Sequence, residues 1–556
     1  GLSAWEKTTL QRASVVGREF WDGALEEFAA SATGRGEALG GDTRMALEEL
    51  RRKELIYRRE SSAFAGTREY VFKHALMRSV AYENVLKRER RRLHGEAARW
   101  LMERSGERVE EYVAVIAEHF ESAKETALAA GWYGRAGGQA RASYAPEAAI
   151  GFYRKALDFM REAAKSHTAS IAQLQPHVIR WYAGLGEVLT MQARYAEAVE
   201  AYTQMREAAE ERRDLIAQAR AWNGLTAVQE YQGDNRAALE SARRAGTLAR
   251  EAGETTSAKA ESAVALNRQG LASHRLGDAA AVAELGTRLL ALGDEMQEGM
   301  RQARANGLKL LGVAHEVSGR FGEADECFEQ SLALLKELGD RRNIGFMLNN
   351  LGVIAHLRAD YEVAVRRYGE ALVIFREIGE RTWELPTLGN LAGAQIGLER
   401  YAEAEENLRQ AVRMNGSAGH FALSMIYCYL AESCRGRGKT GEALETALTA
   451  LVLGQKAENQ DYIGNAWRTL ALVAAQLGAS VRVNEETHTA SECFAESLRV
   501  YTEMGAEAER ARTLRDWARY ERGRGNDERG AAMWQESRAI FSRLAMRREL
   551  DGMSQT

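Results

Sequence analysis

The stretch of this chain that comes nearest to a chemical motif is Ser433-Cys434-Arg435-Gly436-Arg437-Gly438-Lys439-Thr440. Its last three residues are those that close a phosphate-cradling loop, where backbone N–H groups and a lysine meet the phosphates. Such a loop needs a glycine where Ser433 stands and a strand before it, whereas residues 427–433 carry helical spacing. The segment therefore reads as a helix followed by a turn. The densest basic run is Lys87-Arg88-Glu89-Arg90-Arg91-Arg92. Wound on a helix it points in all directions and offers no stripe for a nucleic-acid backbone, so a solvated helix or a contact between domains is expected. Cys428 and Cys434 have no histidine at ligand spacing, so no metal site is expected. No His-Glu-x-x-His motif or nucleophile elbow occurs, and the 10 histidines are scattered. These residues call for no cofactor and no catalysis; they point to a chain that binds.

A chain that binds needs a frame, and the composition narrows the choice. Its 556 residues exceed the ~250–300 at which a single core stops growing. Hydrophobic residues make up 45% and charged residues 28%, the balance of a foldable chain. Only 3 prolines occur, Pro146, Pro176 and Pro386. An interior proline costs a helix ~3 kcal/mol, so the long runs between them are free to be helical. The 75 basic and 79 acidic residues leave a net charge of −4, which gives no electrostatic case for wholesale binding to nucleic acid or an anionic membrane. The 4 cysteines, Cys327, Cys428, Cys434 and Cys493, are sparse and fit a reducing cytoplasm. No apolar run approaches the ~20 residues of a membrane span, and no signal peptide is visible, so a cytoplasmic location is expected. The chain begins Gly1-Leu2-Ser3-Ala4-Trp5 without an initiator methionine, and is read as a piece of a longer protein.

The frame is a repeat. Leu311-Gly312, Leu351-Gly352, Leu391-Ala392, Leu430-Ala431 and Leu470-Ala471 recur with a period of ~40 residues, the range of helical solenoids. A turn follows in the first four copies: Gly319-Arg320-Phe321, Ala359-Asp360-Tyr361, Glu399-Arg400-Tyr401 and Gly438-Lys439-Thr440. A second helix comes next, marked by Ala324/Phe328/Ser331, Ala364/Tyr368/Ala371, Ala404/Leu408/Ala411 and Ala443/Ala447/Ala450. Residues three and four apart share a helix face, so the small pair lets two helices approach and the aromatic fills the groove between them. These are tetratricopeptide positions, and the chain looks like that family. HEAT and armadillo arrays share the period, but the Leu-Gly pair and the turn chemistry argue against them. Weaker copies lie at 133–156, 181–205, 222–245, 266–289, 467–497 (with an insertion near 481–489) and 514–537. The expected architecture is all-α: a superhelix of about ten units over residues 126–556, preceded by a separate module over residues 1–125.

In this repeat type, first-helix positions two before and one or four after the Leu-Gly pair line the concave surface. They pick out Asn223, Glu230, Asn267, His274, Lys309, Glu316, Asn349 and His356 as a candidate surface for a protein or peptide segment. The competing expectation is hydrogen bonding between repeats, the reading preferred for Asn350 and Asn390.

Residues 1–125 break the period. Residues 2–16, 20–29, 45–53 and 75–86 are expected helices, and 55–59 and 70–74 short strands, a winged-helix-like pattern. Ala13-Ser14-Val15-Val16-Gly17-Arg18-Glu19-Phe20-Trp21, Leu50-Arg51-Arg52-Lys53-Glu54-Leu55-Ile56, Phe72-Lys73-His74-Ala75-Leu76 and Val80-Ala81-Tyr82 occur in that order. Together they resemble the region that follows the ATPase in bacterial signalling ATPases of the STAND type. Many of those carry a class III adenylate/guanylate cyclase domain at the N-terminus and tetratricopeptide repeats at the C-terminus. The resemblance implies a regulatory hinge joined to a sensor arm, with the upstream ATPase or cyclase domain as partner. It also implies that His74 touches the β-phosphate of ADP when such an ATPase domain is present. Lys73 departs from the motif, which usually has a smaller polar or acidic residue there, and the alternative is a His74 that caps the next helix or packs in the wing. The function expected is a protein-interaction scaffold and sensor; the alternative is the effector-binding part of a DNA-binding transcriptional regulator.

Overall fold

The computed structural model describes residues 1–33, 42–165, 170–295, 301–415, 422–457, 459–544 and 546–554. The chain divides into two compact units, Gly1–Arg268 and Gln269–Thr556.

Unit 1 opens with α1 (Ala4–Val16), started by a reciprocal capping box between Ser3 and Glu6. Then come β1 (Glu19–Trp21), α2 (Asp22–Thr33), α3 (Thr43–Arg52), β2 (Ile56–Arg58), β3 (Glu69–Phe72), α4 (Ala75–Glu83), α5 (Lys87–Ser105) and, after a short 3-10 turn, α6 (Val113–Ala123). The strands form an antiparallel sheet in the order β1-β3-β2, with Phe20 opposite Tyr70 and Tyr57 opposite Val71. One expectation is corrected here. Residues 20–29 were expected to be helical throughout, but Phe20 and Trp21 lie in β1. The reason is aromatic packing across the sheet. Phe20 stacks on Tyr70 at 5.7 Å, and the Trp21 indole N–H donates to the buried Glu69 carboxylate at 3.1 Å.

A buried polar chain ties this module together. The Tyr82 hydroxyl meets His94 Nε2 at 2.8 Å, His94 Nδ1 meets His119 Nδ1 at 2.8 Å, and His119 also bonds to the Val16 backbone. If His119 donates its other ring proton to the Val16 carbonyl, its Nδ1 accepts from His94, and His94 accepts from Tyr82. Burial holds both imidazoles neutral, His94 down to about 3 and His119 to about 4. The chain joins α1, α4, α5 and α6.

The repeats follow as paired helices. Unit 1 holds α7 (Thr126–Ala142), α8 (Pro146–Ala164), α9 (Ser170–Met191), α10 (Tyr195–Glu211), α11 (Leu215–Gln232) and α12 (Asn235–Glu251); α13 (Thr256–Arg275) crosses the division. Unit 2 continues with α14 (Ala279–Glu295), α15 (Arg301–Val317), α16 (Phe321–Leu338), α17 (Arg341–Leu357), α18 (Tyr361–Glu377), α19 (Arg381–Gly397), α20 (Tyr401–Asn415), α21 (Leu423–Gly436), α22 (Thr440–Lys456) and α23 (Gln460–Leu477). After a hairpin of β4 (Val481–Val483) and β5 (Glu486–His488) come α24 (Ala490–Met504), α25 (Glu507–Gly523), α26 (Asp527–Arg543) and α27 (Arg547–Ser554). The hairpin is the expected insertion, turned by Asn484 and Glu485, both with positive φ as a tight hairpin turn requires. The fold is a tetratricopeptide-like helical solenoid.

Each pair closes in the same way. A Cβ placed on Gly352 of α17 would lie 2.6–3.0 Å from the Tyr368 ring of α18, so only a bare Cα admits that ring. Phe328 sits on Gly312 in the same manner. Ser331 donates to the Ala305 carbonyl at 2.8 Å, and Ser537 to that of Ala511 at 2.8 Å, locking second helix to first. The four turns begin on a left-handed residue: Gly319, Ala359, Glu399 and Gly438, with φ of 70, 58, 60 and 73. Unit 2 curls far enough that Phe321, at the start of α16, packs among Leu514, Phe541 and Met546 at its far end.

Gly352→Ala is expected to destabilise the protein. Crowding costs about 1–3 kcal/mol, against a gain of ~1 kcal/mol in helix propensity. Gly369→Ala, a helical glycine with nothing within 4 Å of a new Cβ, is expected to stabilise by up to ~1 kcal/mol. Urea denaturation of both variants checks the pair, and equal effects would refute this account of the packing.

Candidate functional site

Several residues expected on the concave surface turn out to join repeats to one another. In unit 1, Asn223 is 4% exposed, and its Nδ2 donates to the Glu261 backbone carbonyl at 3.2 Å and side chain at 3.0 Å. Glu230 accepts from Arg268 at 2.6 Å. Asn267 is partly buried, with its Oδ1 unbonded among the described residues. In unit 2, Asn349 is 8% exposed and its Oδ1 accepts from Thr387 at 3.3 Å and Asn390 at 3.2 Å. For Asn223, Glu230 and Asn349 the groove assignment is therefore corrected: their polar atoms bind the next first helix. Asn390, read as a residue between repeats, is Asn349's own partner.

The same register continues toward the chain's end. Arg468 lies two before Leu470 and donates to Glu509 at 3.0 Å. Arg512 lies two before Leu514 and donates to Glu549 of α27 at 2.9 Å, and Arg515 pairs with that carboxylate as well. Burial opposes the charge on Glu509, but Arg512 and Arg468 outweigh it and hold the carboxyl down to about 2. This ladder of ion pairs stitches α23, α25 and α27 along the inner face.

What remains is a set of six polar side chains on that face with no hydrogen bond or ion pair among the described residues: Glu316, His356, Tyr361, Tyr368, Tyr429 and Glu432. They form a chain of neighbours. Tyr368 lies within electrostatic reach of Glu316 and Tyr429, Tyr429 of Glu432, and Tyr361 of Glu432. His356 meets the Tyr361 ring edge-on at 5.4 Å. Glu316 and His356 touch water, yet protein surrounds them, as inside a curled solenoid. Burial pushes the Glu316 carboxyl up to about 7. Burial, then Arg512, pushes His356 down to about 4. Lys309, two turns from Glu316 on α15, is turned to Asn306 at 3.4 Å. His274 is exposed, and burial by its surroundings and then Arg275 lower its pKa.

Glu316 and His356 were thus legible in the sequence. The three tyrosines and Glu432 were missed as site residues: Tyr361 and Tyr368 had been read only as turn and filler positions, and the offset rule was not carried into α21. Applied further, the same rule would also have found Arg468 and Arg512.

Other candidates stay apart from this face. His74 is exposed at the N-cap of α4 and its side chain caps nothing. Lys439 of the loop-like segment is held by Glu405 at 2.7 Å, at the start of α22. Glu405, Cys434 and Glu442 could converge on a metal ion, but Lys439, Arg409 and Arg437 already neutralise Glu405, whose carboxyl they hold down to about 2 against burial. In the basic run, Arg90 packs on Tyr82 and Arg92 is bound by Glu89 and Glu96, so no basic stripe forms. Among the described residues no helix is long and apolar enough to cross a membrane.

Comparison with known proteins places this geometry. Residues 301–377 and 343–416 match the tetratricopeptide repeat family. Regulatory protein AfsR of Streptomyces griseus is 27% identical over 253 residues, covering 39% of this chain and 25% of that protein. AfsR of Streptomyces coelicolor is 29% identical over 117 residues, covering 20% of this chain and 12% of that protein. The chain thus spans a quarter or less of the curated relatives it matches. Among solved structures, a Rap protein complexed with competence and sporulation factor superposes with a TM-score of 0.50 at 12% identity, covering 66% of this chain and 98% of that one. A signal-transduction ATPase with a tetratricopeptide repeat sensor from Pyrococcus horikoshii reaches a TM-score of 0.35 at 16% identity, covering 74% of this chain and 63% of that one. Tetratricopeptide-like solenoids are scaffolds and sensors by type, and the fold gives this chain that non-catalytic character.

Glu316 supplies a prediction. Its folded pKa, about 7, lies above the unfolded carboxyl value, so its contribution to stability is full below that unfolded value and is lost as pH rises through about 7. Glu316→Gln should match the parent melting temperature near pH 4.5 and exceed it at pH 8. Circular-dichroism melts across that range test this, and parallel pH profiles would contradict it.

Proposed function

We propose that this chain is the sensor and scaffold arm of a cytoplasmic bacterial signalling ATPase of the STAND type. In this reading residues 1–125 are a winged-helix-like module, and residues 126–556 are a repeat superhelix that receives a protein or peptide segment. The observation that carries the proposal is the enclosed inner face of unit 2, with six polar side chains left without partners. A folded chain satisfies nearly all of its buried polar groups, and a site for another molecule is where it does not. The Rap protein of similar fold is complexed with a signalling factor, and we assign these repeats a comparable task.

The N-terminal module supports the upstream half of the reading. Helix, strand, two helices and two strands, with sheet order β1-β3-β2, is the arrangement of a winged helix. On α4, Leu76 and Val80 are 76% and 57% exposed beside the uncommitted His74, a surface that a preceding ATPase domain would cover. His74 would then reach that domain's ADP, and an adenylate/guanylate cyclase would be a fitting output. As part of a DNA-binding regulator, α3 would face the nucleic acid. Its arginines Arg44, Arg51 and Arg52 are instead held by Glu26, Glu48 and Glu49, and this ranks the DNA reading second.

The test is selection of a peptide from a displayed random library on the immobilised chain, followed by titration against two double variants. His356→Ala with Tyr429→Ala should weaken the selected peptide about tenfold or more, the ~1.4 kcal/mol or more of a central contact. Glu329→Ala with Arg367→Ala, which removes an ion pair between α16 and α18, should change affinity less than about twofold. Loss in the second variant and not the first would overturn the assignment to the inner face.

A further inference from the structure

The chemistry of the six partnerless side chains narrows the class of ligand. Two are carboxyl groups, three are phenols and one is a neutral imidazole. Carboxylates only accept hydrogen bonds, and tyrosine rings present their negative faces to a cation. Nothing in that set supplies a fixed positive charge. The nearby cations are engaged elsewhere: Lys309 is turned to Asn306 at 3.4 Å, and Arg468 is bound to Glu509 at 3.0 Å and Asn465 at 3.1 Å. Arg512 and Arg515 are bound to Glu549.

A second, independent observation points the same way. Tyr368 is 1% exposed, and its hydroxyl makes no hydrogen bond among the described residues, although it lies beside Glu316 and Tyr429. A buried phenol beside a carboxyl group that it does not bond marks a place left open between them. Tyr429 is wedged against Gly393 of α19 and Tyr361 against Gly397, so neither ring can swing away without losing its seat.

We propose that the inner face of unit 2 receives a peptide segment through a basic side chain, with the guanidinium of an arginine as counter-ion to Glu316 and Glu432 and the rings of Tyr361, Tyr368 and Tyr429 around it. This deepens the reading of the repeats as a peptide-binding arm and rests on it. Arginine suits the site better than a compact ammonium because its planar fork can meet two carboxylates while stacking on a ring. Burial that raises the Glu316 carboxyl ceases to be a penalty once a cation enters, so binding should draw a proton off this group.

The experiment uses the full chain and three pools of fluorescein-labelled, end-capped pentapeptides, with arginine, glutamine or glutamate fixed at the centre and alanine, serine, leucine or glycine elsewhere. Capping leaves the central residue as the only charge on the peptide. At pH 8 the arginine pool should bind at least tenfold more tightly than the glutamine pool, and the glutamate pool least. Its affinity should fall about tenfold between pH 8 and pH 6, as a carboxyl of pKa about 7 takes up a proton. Glu316→Gln should remove both the preference and the pH dependence, and Glu432→Gln the preference. Glu486→Gln, on the outlying hairpin, should change neither. Removing an unpaired carboxylate should not unfold the chain, and a melt of each variant verifies this. If the glutamine or glutamate pool binds as well as the arginine pool, the cation assignment is overturned while the peptide-binding reading stands. If no pool binds, both are overturned.

Discussion

The solenoid depends on how close two helices can come when one of them lacks a side chain. Tyr368 on Gly352, Phe328 on Gly312 and Tyr202 on Gly224 are the same contact repeated: an aromatic ring lying where a Cβ would have been. Such contacts fix spacing within pairs and, for Tyr202 and Gly224, between successive pairs. Curvature follows from this spacing, because small residues between the helices allow each pair to close tightly. In unit 2 the accumulated curvature brings the α15–α16 turn back to α26, so the first helices face inward around a shared space. An extended helical array would leave the same polar residues as ordinary solvated surface.

The inner face therefore serves two purposes with one register of positions. Where the next repeat supplies a partner, the residue two before the Leu-Gly pair becomes mortar: Asn349 to Thr387 and Asn390, Arg468 to Glu509, Arg512 to Glu549. Where no partner arrives, as for Glu316, Glu432 and the tyrosines beside them, the same wall keeps unsatisfied hydrogen-bonding capacity. A wall built wholly of ion pairs would be rigid and closed to ligands, and one built wholly of free polar groups would have nothing to hold its curvature.

Much of this was legible in the chain of residues. The period, the turns at Gly319, Ala359, Glu399 and Gly438, and the small-aromatic pairing are local, and local spacing determines them. The side-chain roles depend on contacts about 38 residues away, which periodicity does not reveal. Asn349 and His356 obey the same offset rule, yet one is bonded and the other is not, because the distinction lies in what α19 and α25 present to them. In the N-terminal module the strand at Phe20 was hidden because two adjacent aromatics read equally well as one turn of a helix. The His94–His119 pair was hidden because its members stand on different helices, 25 residues apart.

The central claim is that the inner face of unit 2 is a ligand site and not merely a packed wall. Hydrogen exchange of the full chain, with and without an arginine-centred capped peptide at saturation, tests it most directly. Slower exchange concentrated in α15, α17, α21 and the first turns of α18 is the predicted footprint. Protection confined to the second helices α20, α22 and α24, with none on the first helices, would contradict the account.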